Sequence, residues 1–258
     1  MTARVHGNTI SGYGPAAGWN SGILIECGVT GDVTKNFLSA FVRTGGGPGP
    51  AINAFDTLSS THGRFVPLQP LNFEGNTFTN NGQHMILIAA NNSRIANNKL
   101  LGEVSGVASW GGLQVGGTNA LVANNNFSGM TVGTLLFDGT EPGVPPTPAA
   151  ANVSLIGNWF CNVVTPVKVN PLVTVLQEQG TETNCPSAPI FQSLTRSNGE
   201  FLASVRGWHG DSYVIETSTN LPNWAPVQTN EMTLPLFEFR DTKTPASPHR
   251  FYRAVKQQ

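Results

Sequence analysis

The residues best suited to chemistry are two carboxylates that close short apolar segments. Glu26 ends the run GILIE and Asp56 ends the run INAFD. If these runs are strands on successive coils of a stacked sheet, their backbones lie about 4.8 Å apart. Two carboxyl groups at such a distance have pKa values that move apart, so one can act as an acid and the other as a base or nucleophile. A gap of about 5 Å is typical of a retaining glycosidase. Solvated strand-end charges remain the alternative.

Aromatic and polar side chains at similar offsets predict a binding surface beside this pair. Trp19 and Trp110 precede strands in the segments GWNSG and SWGG, and His84 lies on a coil between them. Indole faces pack on the C–H groups of sugar rings, and histidine can act as an acid or base. The alternatives are aromatic caps on the core, a structural histidine, and a surface ion pair of Asp138 with Lys168. The expected substrate-binding set is Trp19, Trp110, His84, Gln114, Asp138 and Lys168.

Other chemistries have weaker support in the sequence. A lyase needs a basic cleft beside a uronate, whereas the seven Lys and Arg of residues 1–186 are scattered. No G-x-S-x-G, HExxH or P-loop occurs, and no cysteine–histidine spacing predicts zinc. The acidic residues could instead hold Ca²⁺ with turn carbonyls, which would make the chain a calcium-assisted ester or lactone hydrolase. If the chain is an enzyme, the sequence favours a glycosidase-like hydrolase over a lyase. The cofactor that these residues suggest is Ca²⁺.

These candidates are carried by a repeat with asparagine in a fixed slot. The motif runs apolar residue, two residues, Asn, one residue, apolar residue, as in VHGNTI and FEGNTF. Strand–turn–strand units of unequal length predict a parallel β-helix, in which strands superpose while corners vary in length. Asparagine tolerates left-handed backbone angles, and stacked amides can form a ladder. The slot is filled by Asn8, Asn36, Asn76, Asn98, Asn125 and Asn158.

Alternation along the next strand of each unit predicts columns of side chains. The inward column would be Ile23, Asn53, Ile86, Leu113, Leu135 and Val167. The adjacent outward column would be Leu24, Ala54, Leu87, Gln114, Leu136 and Lys168, and the next would be Glu26, Asp56, Ala89, Gly116, Asp138 and Asn170. The first outward column is unusually apolar. A loop, another module or another subunit would cover it, or it would form the floor of a groove.

Residues 1–186 resemble the right-handed parallel β-helix proteins of the pectate-lyase-like superfold, which carry repeats of the G-N-x-[FI] kind. The six repeat units predict about six coils. That group contains polysaccharide lyases, glycoside hydrolases, pectin esterases, phage tailspikes and adhesins. It therefore implies a fold and a range of extracellular roles, not one reaction.

Residues 187–258 form a different module. Beyond the polar segment LQEQGTETNCPSAP, about six short strands separated by turn residues predict a small antiparallel β-sandwich. The stretch GDSYVIETSTNLPNW, with a terminal RFYR, resembles a C-terminal module of large secreted proteins of environmental bacteria. The resemblance implies export and a core of Tyr213, Ile215, Trp224, Phe237 and Tyr252.

Composition limits the partners. The 258 residues have 11% charged side chains, a net charge of −1 and no basic run, so nucleic acid and anionic membranes are poor candidates. No apolar run reaches the roughly 20 residues of a membrane span. The start MTARVHGNTISGYG has no apolar signal segment and no visible cap, which predicts a fragment of a longer protein. Cys161 and Cys185 could form a disulfide, or all three cysteines could be reduced.

The sequence therefore predicts an extracellular or cell-surface protein that binds a polysaccharide. If the protein is an enzyme, it is expected to hydrolyse the polysaccharide with Glu26 and Asp56. The alternative is a non-catalytic structural or adhesin-type fragment, assembling into a homo-oligomer through the apolar outward column. The substrate is not readable from these residues.

Overall fold

Each copy of the asparagine motif folds into two short strands joined by a two-residue corner. The computed structural model describes residues 1–12, 21–25, 28–41, 50–54, 70–79, 81, 86–102, 111–137, 149–185, 188–197, 200–208, 211–232, 236–242 and 249–257. All the named secondary-structure elements in those ranges are β-strands. The chain divides into two compact units, which we name the β-helix unit (Met1–Cys185) and the C-terminal unit (Pro186–Gln258). The sequence placed this boundary after residue 186.

The first strands of the coils form a seven-stranded parallel sheet. Its strands, in spatial order, are β1 (Thr2–His6), β4 (Thr30–Thr34), β7 (Leu71–Glu74), β10 (Arg94–Ala96), β13 (Leu121–Ala123), β15 (Val153–Ile156) and β17 (Val175–Gln179). One apolar residue per coil is in register and points into the core: Val5, Val33, Phe73, Ile95, Val122 and Leu155. These residues occupy the first position of the motif, so the predicted stacking of the repeat is confirmed.

The remaining strands of the coils belong to a second parallel sheet. One series is β2 (Thr9–Ser11), β5 (Phe37–Ser39), β8 (Thr77–Thr79), β11 (Lys99–Leu101), β14 (Asn126–Leu136) and β16 (Trp159–Val169). The other is β3 (Ile23–Ile25), β6 (Ile52–Ala54), β9 (Ile86–Ala89) and β12 (Gly111–Gly116), which β14 joins to the first. The last apolar position of the motif also stacks in the core, and the rings of Phe127 and Phe160 lie 4.7 Å apart.

The predicted asparagine ladder is confirmed, and its hydrogen bonds link the coils. The Asn76 backbone N–H and Nδ2 both donate to Asn98 Oδ1, at 2.9 and 3.0 Å. Asn98 repeats this pattern toward Asn125, and its Nδ2 also donates to the Phe73 carbonyl at 3.0 Å. The ladder residues from Asn36 onward are at most 2% exposed. Buried amides that are fully hydrogen-bonded avoid the cost of an unpaired polar group, so the slot is structural.

The left-handed backbone position differs from the prediction. Positive φ occurs at the residue before the ladder asparagine, for example 65° at Gly75 and 57° at Asn97. A second corner, before the first-sheet strands, has its own asparagines with φ of 54–58°: Asn92, Asn119 and Asn152. There Asn119 Nδ2 donates to Asn92 Oδ1 at 3.0 Å. The preference of asparagine for left-handed backbone angles therefore explains the asparagines of this second corner. The ladder asparagines are explained by their hydrogen bonds instead.

A disulfide holds the end of the β-helix unit. Cys161, on β16, is bonded to Cys185, with a Cα–Cα distance of 4.6 Å. The chain between them forms β17 and returns as an isolated bridge from Glu182 to Trp159. Cys27 lies outside the described residues. The open question about cysteine pairing is thus settled for Cys161 and Cys185.

The C-terminal unit consists of two three-stranded antiparallel sheets. They are β18 (Ile190–Ser197), β19 (Glu200–Arg206), β22 (Leu236–Asp241) and β21 (Ala225–Glu231), β20 (Ser212–Ser218), β23 (Phe251–Lys256). Ala203, Val205, Ile215 and Phe239 form a buried core to which both sheets contribute. Phe201 of one sheet stacks on Tyr252 of the other, with ring centroids 4.2 Å apart. The predicted all-β class, a parallel β-helix followed by a β-sandwich, is confirmed.

One predicted core residue of this unit is wrong. Tyr213 and Ile215 are buried, and Phe237 and Tyr252 pack against the core. Trp224 is only half-buried. Its ring lies against the guanidinium of Arg253, whose Cζ is 4.3 Å from the ring centroid. Trp224 ends the turn before β21, so strand alternation does not place it among the core side chains.

Two tyrosine hydroxyls of the C-terminal unit lie beside buried or partly buried carboxylates. Burial raises the pKa of Tyr213 to about 12, and the adjacent Asp211 adds to the rise while a bond from a backbone N–H opposes it. Burial likewise raises the pKa of Tyr252 to about 12, assisted by the bond that its hydroxyl donates to Asp241 at 2.9 Å. Both hydroxyls are therefore neutral donors at ordinary pH.

Candidate functional site

The register of the second sheet corrects the predicted columns. Ile23 pairs with Ile52, and Ile52 with Ile86, so Ile52 takes the inward place assigned to Asn53. Thr134 likewise pairs with Leu113 and replaces Leu135. The inward column is therefore Ile23, Ile52, Ile86, Leu113, Thr134 and Val167. The next register column, which we call the outward column after the prediction, consists of the positions Leu24, Asn53, Leu87, Gln114, Leu135 and Lys168.

The outward column is covered along its middle. Asn53 is 3% exposed, Gln114 6% and Leu135 4%. At its ends, Leu24 is 56% exposed and Lys168 is also exposed. The predicted members Ala54 and Leu136 lie in the core, so the predicted column was wrong in register. In the corrected column the central residues are buried, as expected for a covered surface and not for the floor of an open groove. A homo-oligomer could not use them as its contact surface, because they are already buried within the chain.

Most predicted site residues lie outside the described part of the chain. These are Glu26, Asp56, Trp19, Trp110, His84 and Asp138. Their roles stay predictions. Among the described residues, Ile25 pairs with Ala54. The alignment that placed Glu26 beside Asp56 would pair Ile25 with Phe55, so the observed register differs from that alignment by one residue. Gln114 and Lys168 are described, and they lie on β12 and β16, separated by one coil.

Among the residues that the structure describes, a set of polar side chains that are exposed or partly exposed lies on the first sheet. Strands β1, β4 and β7 alternate between more buried residues and residues that point outward. On β10, Arg94 occupies the outward position, whereas both Ile95 and Ala96 are buried. Adjacent strands are about 4.8 Å apart, so four of them present a strip of about 14 Å. We name this strip the polar face. Its side chains are Arg4, His6, Asp32, Thr34, Asn72, Glu74 and Arg94.

Hydrogen bonds run across the polar face from coil to coil. Asn72 Nδ2 donates to Asp32 Oδ1, and Arg94 Nη1 donates to Asn72 Oδ1, both at 3.1 Å. Arg94 also forms an ion pair with Glu74, with Nη1 2.9 Å from Oε2. Asn97 Nδ2 donates to Glu74 Oε1 at 3.0 Å. The network orders planar donors and acceptors that are still accessible, since the Arg94 and Glu74 side chains are about 40% exposed.

Electrostatics limit what Glu74 can do. Partial burial alone would raise its pKa, but hydrogen bonds from Arg94 and Asn97 and the charge of Arg94 outweigh this effect. The pKa of Glu74 is therefore lowered, and the group is a carboxylate near neutral pH. It can accept hydrogen bonds, whereas a glycosidase general acid needs a raised pKa. The polar face suits binding better than proton donation.

None of the residues of the polar face is among the site residues predicted from the sequence. The asparagine motif begins at its first apolar residue and so leaves out the polar residue that precedes it. Their signal was present: Asp32, Asn72 and Arg94 each lie one residue before the first apolar position. Beyond the fourth coil that position holds Leu121 and then Ser154, so the face becomes less polar.

Neither a metal cluster nor a membrane helix is found in the described ranges. Those ranges contain no group of three or more His, Cys, Asp or Glu that could hold a metal ion. They also contain no helix long and apolar enough to cross a membrane. The acidic residues considered for Ca²⁺ include Glu26, Asp56 and Asp138, which are not among the described residues.

The fold defines the class of this protein: a parallel β-helix protein with a C-terminal β-sandwich. No protein-family model matches the chain, and no curated protein matches it in sequence. Among solved structures, it is similar to the crystal structure of the periplasmic alginate epimerase AlgG, with a TM-score of 0.43 and 14% sequence identity. The match covers 69% of this chain but only 39% of that chain.

Proposed function

We propose that this protein is an extracellular polysaccharide-binding protein that holds an extended glycan chain on its polar face. The observation that carries the proposal is the coil-to-coil hydrogen-bond network Asp32–Asn72–Arg94–Glu74. Neighbouring hydroxyl groups of a sugar both donate and accept hydrogen bonds. Planar amide, carboxylate and guanidinium groups in fixed positions can satisfy both kinds.

Charge and shape favour a glycan over other polymers. Two carboxylates, Asp32 and Glu74, share the face with Arg4 and Arg94, so a polyphosphate backbone would meet repulsion as well as attraction. The centre of a protein interface usually carries aromatic and apolar residues, and the side chains of the polar face are neither. A strip of parallel strands suits an extended ligand, whereas small molecules usually bind in concave pockets.

An extracellular location is consistent with the Cys161–Cys185 disulfide, because such bonds persist in oxidising compartments. Hydrolysis of the bound glycan remains a further proposal. It rests on Glu26 and Asp56 and not on the polar face. Binding and turnover therefore have separate tests.

The test of binding uses a panel of soluble and insoluble polysaccharides and the double variant Asn72→Ala/Arg94→Ala. We expect at least one glycan to bind the unmodified protein, and the variant to weaken binding about tenfold, which corresponds to about 1.4 kcal/mol. Ser154→Ala is the matched control, because Ser154 occupies the same register position two coils further on. Equal binding by the folded double variant and the unmodified protein would refute this use of the polar face.

The test of turnover measures new reducing ends released from the bound glycan. If Glu26 and Asp56 are catalytic, Glu26→Gln/Asp56→Asn abolishes release and leaves binding unchanged. Release that persists in this variant would exclude that pair. Addition and chelation of Ca²⁺ in the same assay test the calcium alternative.

A structural or adhesive role is the second candidate, favoured by exposed apolar residues at the end of the β-helix unit. Val164 is 80% exposed, Leu172 68% and Leu176 70%. The edge strand β16 also carries Pro166 and Lys168, which discourage strand pairing, so association would use side chains. A concentration-dependent dimer that Leu176→Glu dissociates would support this candidate.

A further inference from the structure

We infer that the C-terminal unit has its own binding site for a sugar ring, formed by Trp224, Arg253 and Glu216. This site lies on a different unit from the polar face and does not depend on it. Trp224 is half-buried and outside the core of the sandwich. Arg253 and Glu216 pair across β23 and β20, on the side of the sheet opposite Ile215 and Tyr252.

Hydrogen bonds order the backbone of the turn before β21, which ends at Trp224. Ser218 Oγ accepts hydrogen bonds from the backbone N–H groups of Asn220 and Leu221, at 3.2 and 2.8 Å. Asn220 Oδ1 accepts another from the Asn223 N–H at 3.1 Å. A large, amphipathic side chain held in place loses little entropy on binding, which is why ordered tryptophans are effective contact residues.

The polar half of the site is also held in place. Arg253 Nε is 2.6 Å from Glu216 Oε2, and the guanidinium lies over one face of the indole at 4.3 Å. The bond to Glu216 uses Nε, so the donors on the two Nη nitrogens are not used by it. The Arg253 side chain is 47% exposed and can be reached by a ligand.

The chemistry of the cluster favours a neutral pyranose ring. The guanidinium occupies one face of the indole, so a ligand would stack on the other face through its C–H groups. Arginine and glutamate neutralise each other, which gives no preference for a charged ligand. A guanidinium and a carboxylate side by side can donate to one hydroxyl and accept from its neighbour.

The experiment compares full-length variants for binding to the same polysaccharide panel and to short oligosaccharides. Trp224→Ala should weaken binding at least tenfold. Arg253→Lys, which keeps the charge but removes the planar donors, should weaken it severalfold. Phe251→Ala is the control, because Phe251 is on β23 and 38% exposed, two residues from Arg253. Thermal unfolding of each variant checks that the unit is folded.

If Trp224→Ala does not fold, Trp224→Phe and Glu216→Gln give the decisive comparison. Unchanged glycan binding by folded Trp224 and Glu216 variants would overturn the inference. The Asn72→Ala/Arg94→Ala variant separates the two sites. If it binds normally while Trp224→Ala does not, the polar-face proposal fails and this site stands; the reverse result leaves only the polar face.

Discussion

Truncation of one ladder asparagine in the middle of the β-helix unit should destabilise it strongly. In Asn98→Ala, the buried N–H of Asn76 loses its acceptor, Asn98 Oδ1, which lies 2.9 Å away. The same change removes the bonds that join this side chain to Asn76 Nδ2, the Phe73 carbonyl and Asn125 Oδ1. All three asparagines are completely buried, so water cannot replace these bonds without opening the coil.

The magnitude follows from these contacts. An orphaned buried donor costs about 1–3 kcal/mol, and each of the three other bonds contributes roughly 0.5–1.5 kcal/mol, so the expected loss is roughly 2.5–7.5 kcal/mol. Asn8→Ala is the control, because Asn8 has the same role at the exposed end of the ladder, where water can replace its bonds. Its expected cost is below about 1 kcal/mol.

The assay is urea unfolding followed by circular dichroism, together with hydrogen exchange, because a stack of repeats can open locally. Asn98→Asp is an informative second variant. It keeps an acceptor but buries a carboxyl group, whose pKa burial raises, so its stability should recover as the pH falls. If Asn98→Ala loses no more stability than Asn8→Ala, the ladder does not stabilise the coils as argued.

Three further predictions concern the disulfide and two kinds of titrating group. Replacing Cys161 and Cys185 by serine should lower the free energy of unfolding by up to about 3.5 kcal/mol, because the disulfide no longer closes its loop. Hydrogen exchange in residues 170–185 should increase, and exchange equal to that of the unmodified protein would contradict this prediction. Since the pKa of Tyr213 and Tyr252 is raised from 10.0 to about 12, the C-terminal unit should lose stability as the pH rises from about 10 to about 12, with their ionisation delayed in an absorbance titration. The lowered pKa of Glu74 makes a contribution that is present above pH 4.5 and lost as the pH falls through the folded-state value, and Glu74→Gln should abolish that acid sensitivity.

Several features of the fold could be predicted from the sequence because they repeat. The two apolar positions and the asparagine between them recur in every unit, as in Phe73, Asn76 and Phe78, and each copy meets its equivalents in the neighbouring coils. Stacking of like on like requires no knowledge of distant contacts. The parallel β-helix, its core and its ladder follow from this regularity.

The site could not be predicted in the same way, because it depends on register. Side chains alternate with a period of two, so an error of one residue exchanges the two faces of a strand. In the segment INAF, one face of the strand carries Ile52 and Ala54 and the other carries Asn53 and Phe55, so each face holds one large apolar residue. Pairing of Ile52 with Ile23 and Ile86 places Ile52 in the core.

The side-chain networks that cross the coils could not be predicted from the linear sequence either. Asp32 and Asn72 are 40 residues apart and Asn72 and Arg94 are 22 apart, and hydrogen bonds join them only after three coils have stacked in register. Trp224 is a large aromatic residue of the kind expected in a core, but the turn before β21 places it against Arg253 outside the core. The sequence by itself determined the scaffold, through short-period repetition. The tertiary structure decided which polar and aromatic groups are brought together on its surface, because those contacts depend on the register of distant strands and the geometry of turns.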